Sequence, residues 1–346
     1  MEQTRAEQFA SFFPEQPRWR FSQIERALFN PEISGWEDIS NLPQDMRGKL
    51  ASSLPWISVA RKELYKSKDG QTRKALLKFS DGQKIETVLM KNKRGQYSVC
   101  VSSQAGCAMG CIFCATGAIG LKRNLTADEI ADQLRFWKYF LHSHGIKERV
   151  SNIVIMGMGE PLANYDNVKT AIGQWLEYTD IGANHITVST VGLLPDLQKI
   201  LADKTWPPVR IAISLHSADE ASRKKIVPTT SENYLQGLEK WIKEYLKTKA
   251  GNKRHLTFEY VLLAGINDSP RDAKLLGDFV AKTGRVKVNL IPFNDISDKA
   301  LQRSRAADEF ALILKKCGVM ATVRQSAGQD IMAACGQLAG KSGGSA

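Results

Sequence analysis

Three cysteines stand close together in the run Cys107-Ala-Met-Gly-Cys111-Ile-Phe-Cys114, a C-x3-C-x2-C spacing. Three thiolates on one tight loop can ligate three irons of a cubane and leave the fourth iron open to another ligand. A structural zinc ion is the competing assignment. It wants four ligands, commonly in C-x2-C pairs, and no nearby His or Cys completes such a set. Three unrelated buried thiols would be the plainest reading, since free Cys often packs as a small hydrophobe. The spacing favours a [4Fe–4S] cluster held by Cys107, Cys111 and Cys114. The other three cysteines are Cys100, Cys317 and Cys335. In a reducing compartment they are not expected to form structural disulfides.

A second group of residues suits a bound nucleoside. The apolar run NIVIM is followed by Gly157-Met158-Gly159-Glu160-Pro161, which in isolation reads as a Gly-rich turn. Further runs end in Ser189-Thr190, in Ser214-Leu215-His216 and in Asn294. Each could be an ordinary loop residue. Polar groups at successive strand ends are nevertheless what orients a small ligand in a pocket.

Those ends belong to a repeating pattern. Candidate strands are SVCVSS, NIVIM, HITVST, VRIAISL, HLTFEYVLL, VKVNLI and VMATV. Between them lie helical stretches over 126–140, 166–178, 194–202, 234–247, 271–283 and 305–317. Thr126 with Glu129 has the form of a capping box. Near-continuous apolar strands alternating with helices predict an α/β fold with a parallel sheet, open or curled into a barrel, with its site at the carboxyl ends of the strands.

Four regions are expected: a helical accessory domain over 1–60, a basic β-hairpin extension over 61–95, a core over 96–339 and a flexible Gly/Ser tail over 340–346. In the first, Phe21, Ile24, Leu28 and Phe29 recur at helical spacing. In the second, KALLKF and KIETVLM flank Ser80-Asp81-Gly82-Gln83, where Asp-Gly predicts a tight turn with positive backbone dihedrals.

Lys and Arg number 48 against 36 Asp and Glu, a net charge of +12. Between Arg61 and Ser98 there are 11 basic and 4 acidic residues. A concentrated excess of this kind attracts polyanions through counterion release, although a solvated basic surface without a partner has the same composition. No apolar run approaches the roughly 20 residues needed to span a bilayer, and the first 20 residues contain no apolar signal segment. A soluble cytoplasmic monomer that makes no membrane contact is the expectation.

The cysteine spacing, followed by the GEP element, resembles the radical S-adenosylmethionine (SAM) superfamily, which implies a partial (β/α)6 barrel. In such proteins the open iron chelates SAM, and the GEP element binds its amino group through backbone and acidic oxygen. Gly159, Glu160, Ser189, Ser214, Leu215, His216 and Asn294 would then contact SAM. The resemblance narrows at Cys100 in YSVCVSSQAGC and Cys335 in DIMAACGQLAG, and it extends from WRFSQIERALF to ACGQL. Together these resemble the RlmN and Cfr rRNA adenine methyltransferases. Cys317 matches nothing in that pattern and reads as packing.

That resemblance implies a chemistry. Carbon 2 of adenine is too poor a nucleophile for ordinary alkylation. One SAM would methylate the Cys335 thiolate, and a second would be split to a radical that activates the S-methyl group for addition to adenine. Cys100 would resolve the resulting crosslink and leave a Cys100–Cys335 disulfide, which an external reductant reopens. Glu86 matches a carboxylate that the family assigns as proton acceptor; a solvent-facing strand residue is its plainer reading, and Cys100 is an equal candidate for the proton.

The implied substrates are one adenosine of the peptidyl-transferase centre of 23S rRNA and the adenosine 3′ of the anticodon in some tRNAs. An electron donor such as flavodoxin is implied too. GEPLANYDNV favours the C2 branch, while CATGAIGLKRNLT leans towards the C8 branch, whose product protects ribosomes from antibiotics. One departure is Met332, where the family usually has Asp. A non-catalytic RNA-binding protein with a structural cluster, or a radical SAM enzyme acting on a peptide or metabolite, would lack a use for the Cys100/Cys335 pair.

Overall fold

The structure, a computed structural model, describes residues 4–248, 256–296 and 300–340. The Gly/Ser tail expected over 340–346 therefore lies outside the described residues except for Gly340.

Three helices, α1 (Arg5–Phe12), α2 (Arg18–Phe29) and α3 (Gln44–Ser53), form the N-terminal unit. They bury Phe9, Ile24, Leu28, Trp36, Met46 and Leu50 in a core of their own. Four strands follow: β1 (Arg61–Lys66), β2 (Thr72–Lys78), β3 (Lys84–Lys91) and β4 (Tyr97–Cys100). They pair antiparallel in sequence order.

From β4 the sheet turns parallel, through β7 (Val150–Ile155), β8 (Ile186–Thr190), β9 (Arg210–Ser214), β10 (Leu256–Leu262), β11 (Val286–Pro292) and the short β12 (Ala321–Val323). All ten strands form one open sheet in the order β1-β2-β3-β4-β7-β8-β9-β10-β11-β12. The remaining two strands, β5 (Gln104–Ala105) and β6 (Arg123–Asn124), brace the cluster loop as a separate pair. The crossover helices include α5 (Ala127–Ser143), α6 (Tyr165–Tyr178), α7 (Leu194–Ala202) and α9 (Tyr234–Lys247). Two short helices, α4 (Ala115–Ile119) and α8 (Glu220–Ile226), sit above the strand ends, and α10 (Pro270–Thr283) and α11 (Ala307–Lys316) complete the set. This is the expected α/β radical SAM fold.

Strands β9 and β10 carry consecutive buried residues, as their apolar runs require, while β8 and β11 alternate buried with half-buried ones. Ile211, Ala212 and Ile213 of β9 are at most 2% exposed. The α5 capping box forms as read: the Glu129 amide donates to the Thr126 hydroxyl, and Glu129 accepts from the Thr126 amide. Such a cap stabilises a helix by about 1 kcal/mol.

Two local expectations differ. The basic extension is a three-stranded meander continuous with the core sheet rather than a separate hairpin. In its β2–β3 turn only Gly82 takes a positive φ, of 86°. Asp81 instead accepts the Gln83 amide through its side chain, an Asx turn.

Buried charge joins the N-terminal unit to α5. Arg5 ion-pairs with Asp128 and Asp132, Arg135 pairs with Asp132, and Glu25 lies buried beside them. One oxygen of Glu25 has no hydrogen-bond partner.

Candidate active site between two cysteine loops

The cluster loop leaves β5 through Gly106, whose φ is 79°. A Cβ there would lie 1.9 Å from the Gly120 carbonyl oxygen, so no other residue lets the loop close. The Cys107 amide donates to that same carbonyl, and the Cys114 amide to Cys111. Cys107 and Cys111 are buried and Cys114 is half-buried. All three line one cavity of about 140 Å³ at the carboxyl ends of β7 to β11.

The three thiols share the wall of this cavity. Among the described residues, no three His, Cys, Asp or Glu side chains meet closely enough to hold a single metal ion. A cubane binds one thiolate at each of three iron corners, so three spaced thiols on a cavity wall fit it. Burial pushes the Cys107 thiol up to about 11, helped by Glu160 and Cys114. Burial also raises Cys111, and Cys114 and Cys107 add to it. These groups favour their neutral forms until a cation arrives.

Gly159 and Glu160 line the same cavity. Gly159 has a φ of 104°, and a Cβ on it would meet the Gln104 backbone nitrogen at 2.7 Å. Glu160 is 2% exposed. It accepts from the Val191 amide at 2.8 Å and the Leu162 amide at 3.1 Å. No cation pairs with it among the described residues, and burial pushes its carboxyl up to about 7. A buried carboxyl held by two N–H groups and lacking a positive partner fits an ammonium group such as that of SAM.

The other expected contacts divide. Ser189, Ser214 and His216 line the cavity, and the two hydroxyls lie 3.5 Å apart. His216 sits in the left-handed region with φ 58°. Its Nδ1 accepts the Val261 amide, its ring meets Phe113 edge-on at 4.5 Å, and burial lowers its pKa to about 3. It is therefore a neutral ring carrying its proton on Nε2. Leu215 does not line the cavity: its side chain is in the core and its amide donates to the Glu259 carbonyl. Asn294 lines a second cavity instead, where its amide donates to the Cys335 carbonyl at 3.0 Å.

That second cavity, about 80 Å³, is walled by Cys100, Cys335, Met90, Met156, Asn294 and Arg324, among others. Cys335 and Arg324 also line the first cavity, so the two spaces meet at them. Cys335 is accessible from these cavities yet surrounded by protein. Burial raises the Cys335 thiol, against the Arg324 guanidinium. Burial pushes Cys100 up to about 12, with Cys335 adding and Arg324 opposing. Cys317, at the exposed end of α11, lies over Gly277 and lines neither cavity.

Glu86 is not a solvent-facing strand residue. It is 1% exposed, ion-paired with Lys74 at 2.8 Å, and accepts from the Ala339 amide at 2.7 Å and the Gly340 amide at 3.2 Å. Met332 has φ 51° and ψ 45°, a left-handed conformation, which explains why an Asp fits well there. Sequence reasoning passed over Lys74, Glu259 and Arg324. Arg324 follows the β12 run directly, so the strand-end rule could have found it; Lys74 and Glu259 lie inside strands and gave no signal.

Comparison with known proteins gives the family. Residues 101–275 match the family model described as the radical SAM superfamily. A probable dual-specificity RNA methyltransferase RlmN of Clostridium botulinum (strain Eklund 17B) is 41% identical over 324 residues, covering 92% of this chain and 90% of that protein. A ribosomal RNA large subunit methyltransferase Cfr of C. botulinum (strain Loch Maree) is 37% identical, covering 93% and 92%. A crystal structure of a radical SAM methyltransferase from Sphaerobacter thermophilus superposes with a TM-score of 0.88 at 36% identity, covering 98% of each chain. The chain belongs to the radical SAM superfamily and, within it, to the RlmN/Cfr family of RNA methyltransferases.

Proposed function

We propose that this enzyme methylates carbon 2 of an adenosine in 23S rRNA and of the adenosine 3′ of the anticodon in tRNAs, with Cys335 as methyl carrier and Cys100 as resolving thiol. The supporting observation is that Cys335 lies on the wall shared by the cluster cavity and the cavity holding Cys100. One sulfur can thus face SAM on one side and the target base on the other.

Cys107, Cys111 and Cys114 would hold the [4Fe–4S] cluster. A cluster bound there would supply the electron for radical formation from SAM. Glu160 would hold the SAM ammonium, with Ser189, Ser214 and His216 around the nucleoside. Cys335, as thiolate, accepts the first methyl group, and Arg324 is the cation placed to favour that thiolate. The activated methyl carbon then adds to the adenine, and the adduct gives up one electron and the proton of its target carbon. The Cys100 thiolate next attacks the Cys335 sulfur, breaks its bond to the new methyl carbon, which takes up a proton, and leaves a disulfide for an external donor to reduce. The exposed cations of the extension, among them Arg61, Lys62, Lys93 and Arg94, would grip RNA phosphates while the base is unstacked, at a cost of a few kcal/mol. Of the segment's aromatics Phe79 and Tyr97 are buried and Tyr65 is half-buried, which favours reading by shape and charge.

The C2 product follows the RlmN relatives, which are somewhat more similar than the Cfr relatives. The test is nucleoside mass spectrometry of 23S rRNA and tRNA fragments after anaerobic reaction with cluster-loaded protein, SAM and reductant. A 2-methyladenosine peak that vanishes with Cys335→Ala is expected. An 8-methyladenosine peak would keep the carrier and overturn the position; no methylated adenine would overturn the substrate.

A further inference from the structure

The loop carrying Cys335 has little regular structure: one 3-10 turn at Gln329–Ile331 and then irregular chain to Gly340. A thiol that must serve two cavities cannot be left to such a loop alone. The contacts that fix it come from four directions. Asn294 donates to the Cys335 carbonyl, and the Ala115 amide, next to Cys114, donates to the Gly336 carbonyl at 2.7 Å. The Thr116 hydroxyl donates to the Leu338 carbonyl at 2.6 Å. The fourth anchor spans the loop from both sides. Lys74 Nζ donates to the Met332 carbonyl at 3.2 Å while ion-pairing with Glu86 Oε1, and Glu86 Oε2 accepts the amides of Ala339 and Gly340.

Resting on the reading of Cys335 as methyl carrier, we infer that Lys74 and Glu86 are a staple that positions the Cys335 loop, and that Glu86 is a positioning residue rather than the proton acceptor. Lys74 grips three residues before Cys335, and Glu86 grips four and five residues after it. Both side chains are at least 97% buried, and neither lines the cavity shared by Cys100 and Cys335. Both carboxylate oxygens of Glu86 are occupied by donors, one of them a full cation. A base must stand within reach of its proton, and this carboxylate lies outside both cavities that Cys335 lines, with three donors already on its two oxygens. The proton lost from the target carbon goes instead to a group on the cavity wall, where Cys100 stands, and passes to solvent before that sulfur attacks Cys335.

The staple also accounts for Met332. Its left-handed backbone turns its carbonyl to Lys74, so the lysine contact helps hold a conformation that an L-residue with a long side chain adopts at a cost.

Three variants of the full-length, cluster-loaded protein separate the two roles: Lys74→Met, Glu86→Gln, and the double substitution. Lys74→Met leaves the carboxylate in place but removes its partner. The double variant removes both charges and keeps an amide oxygen for Ala339 and Gly340. Two measurements are made on each: hydrogen exchange of the 332–340 peptide, and the ratio of methyladenosine formed to SAM cleaved. A misplacement of about 1 Å costs roughly 100-fold in a positioned reaction, so Lys74→Met is expected to lose about that much product per SAM cleaved, together with loop protection. The double variant is expected to regain protection and at least tenfold of the coupling. Should the lone buried carboxylate keep Lys74→Met from folding, the double variant decides alone. A double variant with a fully protected loop that stalls as a covalent RNA–protein adduct would overturn the staple in favour of a base, and so would a Lys74→Met enzyme with wild-type coupling. Failure of the methyl-carrier reading looks different: Cys335→Ala would then still make methyladenosine.

Discussion

Replacing Glu25 with Gln should make the protein more stable at pH 8 and leave it nearly unchanged at pH 4.5. Glu25 is 4% exposed in the seam between α2 and α5. That seam holds three carboxylates, Glu25, Asp128 and Asp132, against two guanidinium groups, Arg5 and Arg135. Asp132 is ion-paired with both arginines and Asp128 with Arg5, so the charge left over falls on Glu25. Burial, then Asp128, pushes its carboxyl from the ordinary 4.5 up to about 7, against Arg135 and Arg5. Between these values the folded chain keeps a proton that the unfolded chain has lost. Stability therefore falls as pH rises from about 4.5 through about 7. At 1.36 kcal/mol per pH unit, the full loss is about 3 kcal/mol. Gln carries no such proton, so the gap between variant and wild type should open over that window and then stay constant. With about 2 cal/mol/K of unfolding entropy per residue, the melting temperature should rise by about 4 °C at pH 8. Paired thermal melts at pH 4.5 and pH 8 cancel every other titrating group. An equal offset at both pH values, or a variant less stable at pH 8, would refute the assignment of the proton to Glu25.

Three further outcomes follow from the site. Glu160→Gln should weaken SAM binding to cluster-loaded protein roughly 10–100-fold at pH 8, the range for a hydrogen bond to a charged group; isothermal titration measures it, and unchanged affinity would move the ammonium elsewhere. Met332→Gly should relieve about 1 kcal/mol of left-handed backbone cost, read as slower amide exchange across 328–336 with coupling preserved. Reversing charge at Lys93 and Arg94, both exposed, should lower the salt slope of RNA binding by about two while SAM cleavage persists; Lys91 is a poorer choice because Glu148 already holds it at 2.6 Å.

The core was legible because its strands are short apolar runs regularly separated by helical stretches, with β9 and β10 buried at consecutive positions. The helices over 194–202 and 234–247 fall where periodicity put them. Strand β1 was missed for the opposite reason: RKELYK is an exposed edge strand, charged as such edges are, and carries no apolar alternation. Cys107, Cys111 and Cys114 stand within eight residues of one another, so their spacing marked them as a group, and all three line one cavity. Lys74 and Glu86 meet Met332, Ala339 and Gly340 across about 250 residues of chain, and no local pattern encodes such a meeting. Asn294 was read as a SAM contact and lies instead in the Cys100 cavity, donating to the Cys335 carbonyl, because a polar group at a strand end signals a contact without naming it.

Continuity of the sheet changes what the basic extension does. Had β2 and β3 formed a detached hairpin, they could only have held RNA. They are instead hydrogen-bonded into the core through β4, whose last residue is Cys100. Val88 of β3 is the register partner of Cys100, and the Thr87 hydroxyl donates to the Cys100 carbonyl at 2.8 Å. One residue earlier stands Glu86, and opposite it in register lies Leu76, two positions from Lys74. The strands of the extension thus also place Cys100 and, through Lys74 and Glu86, the loop that carries Cys335. A substitution that loosens β3 from β4 should therefore impair the resolution of the crosslink even where RNA affinity is retained.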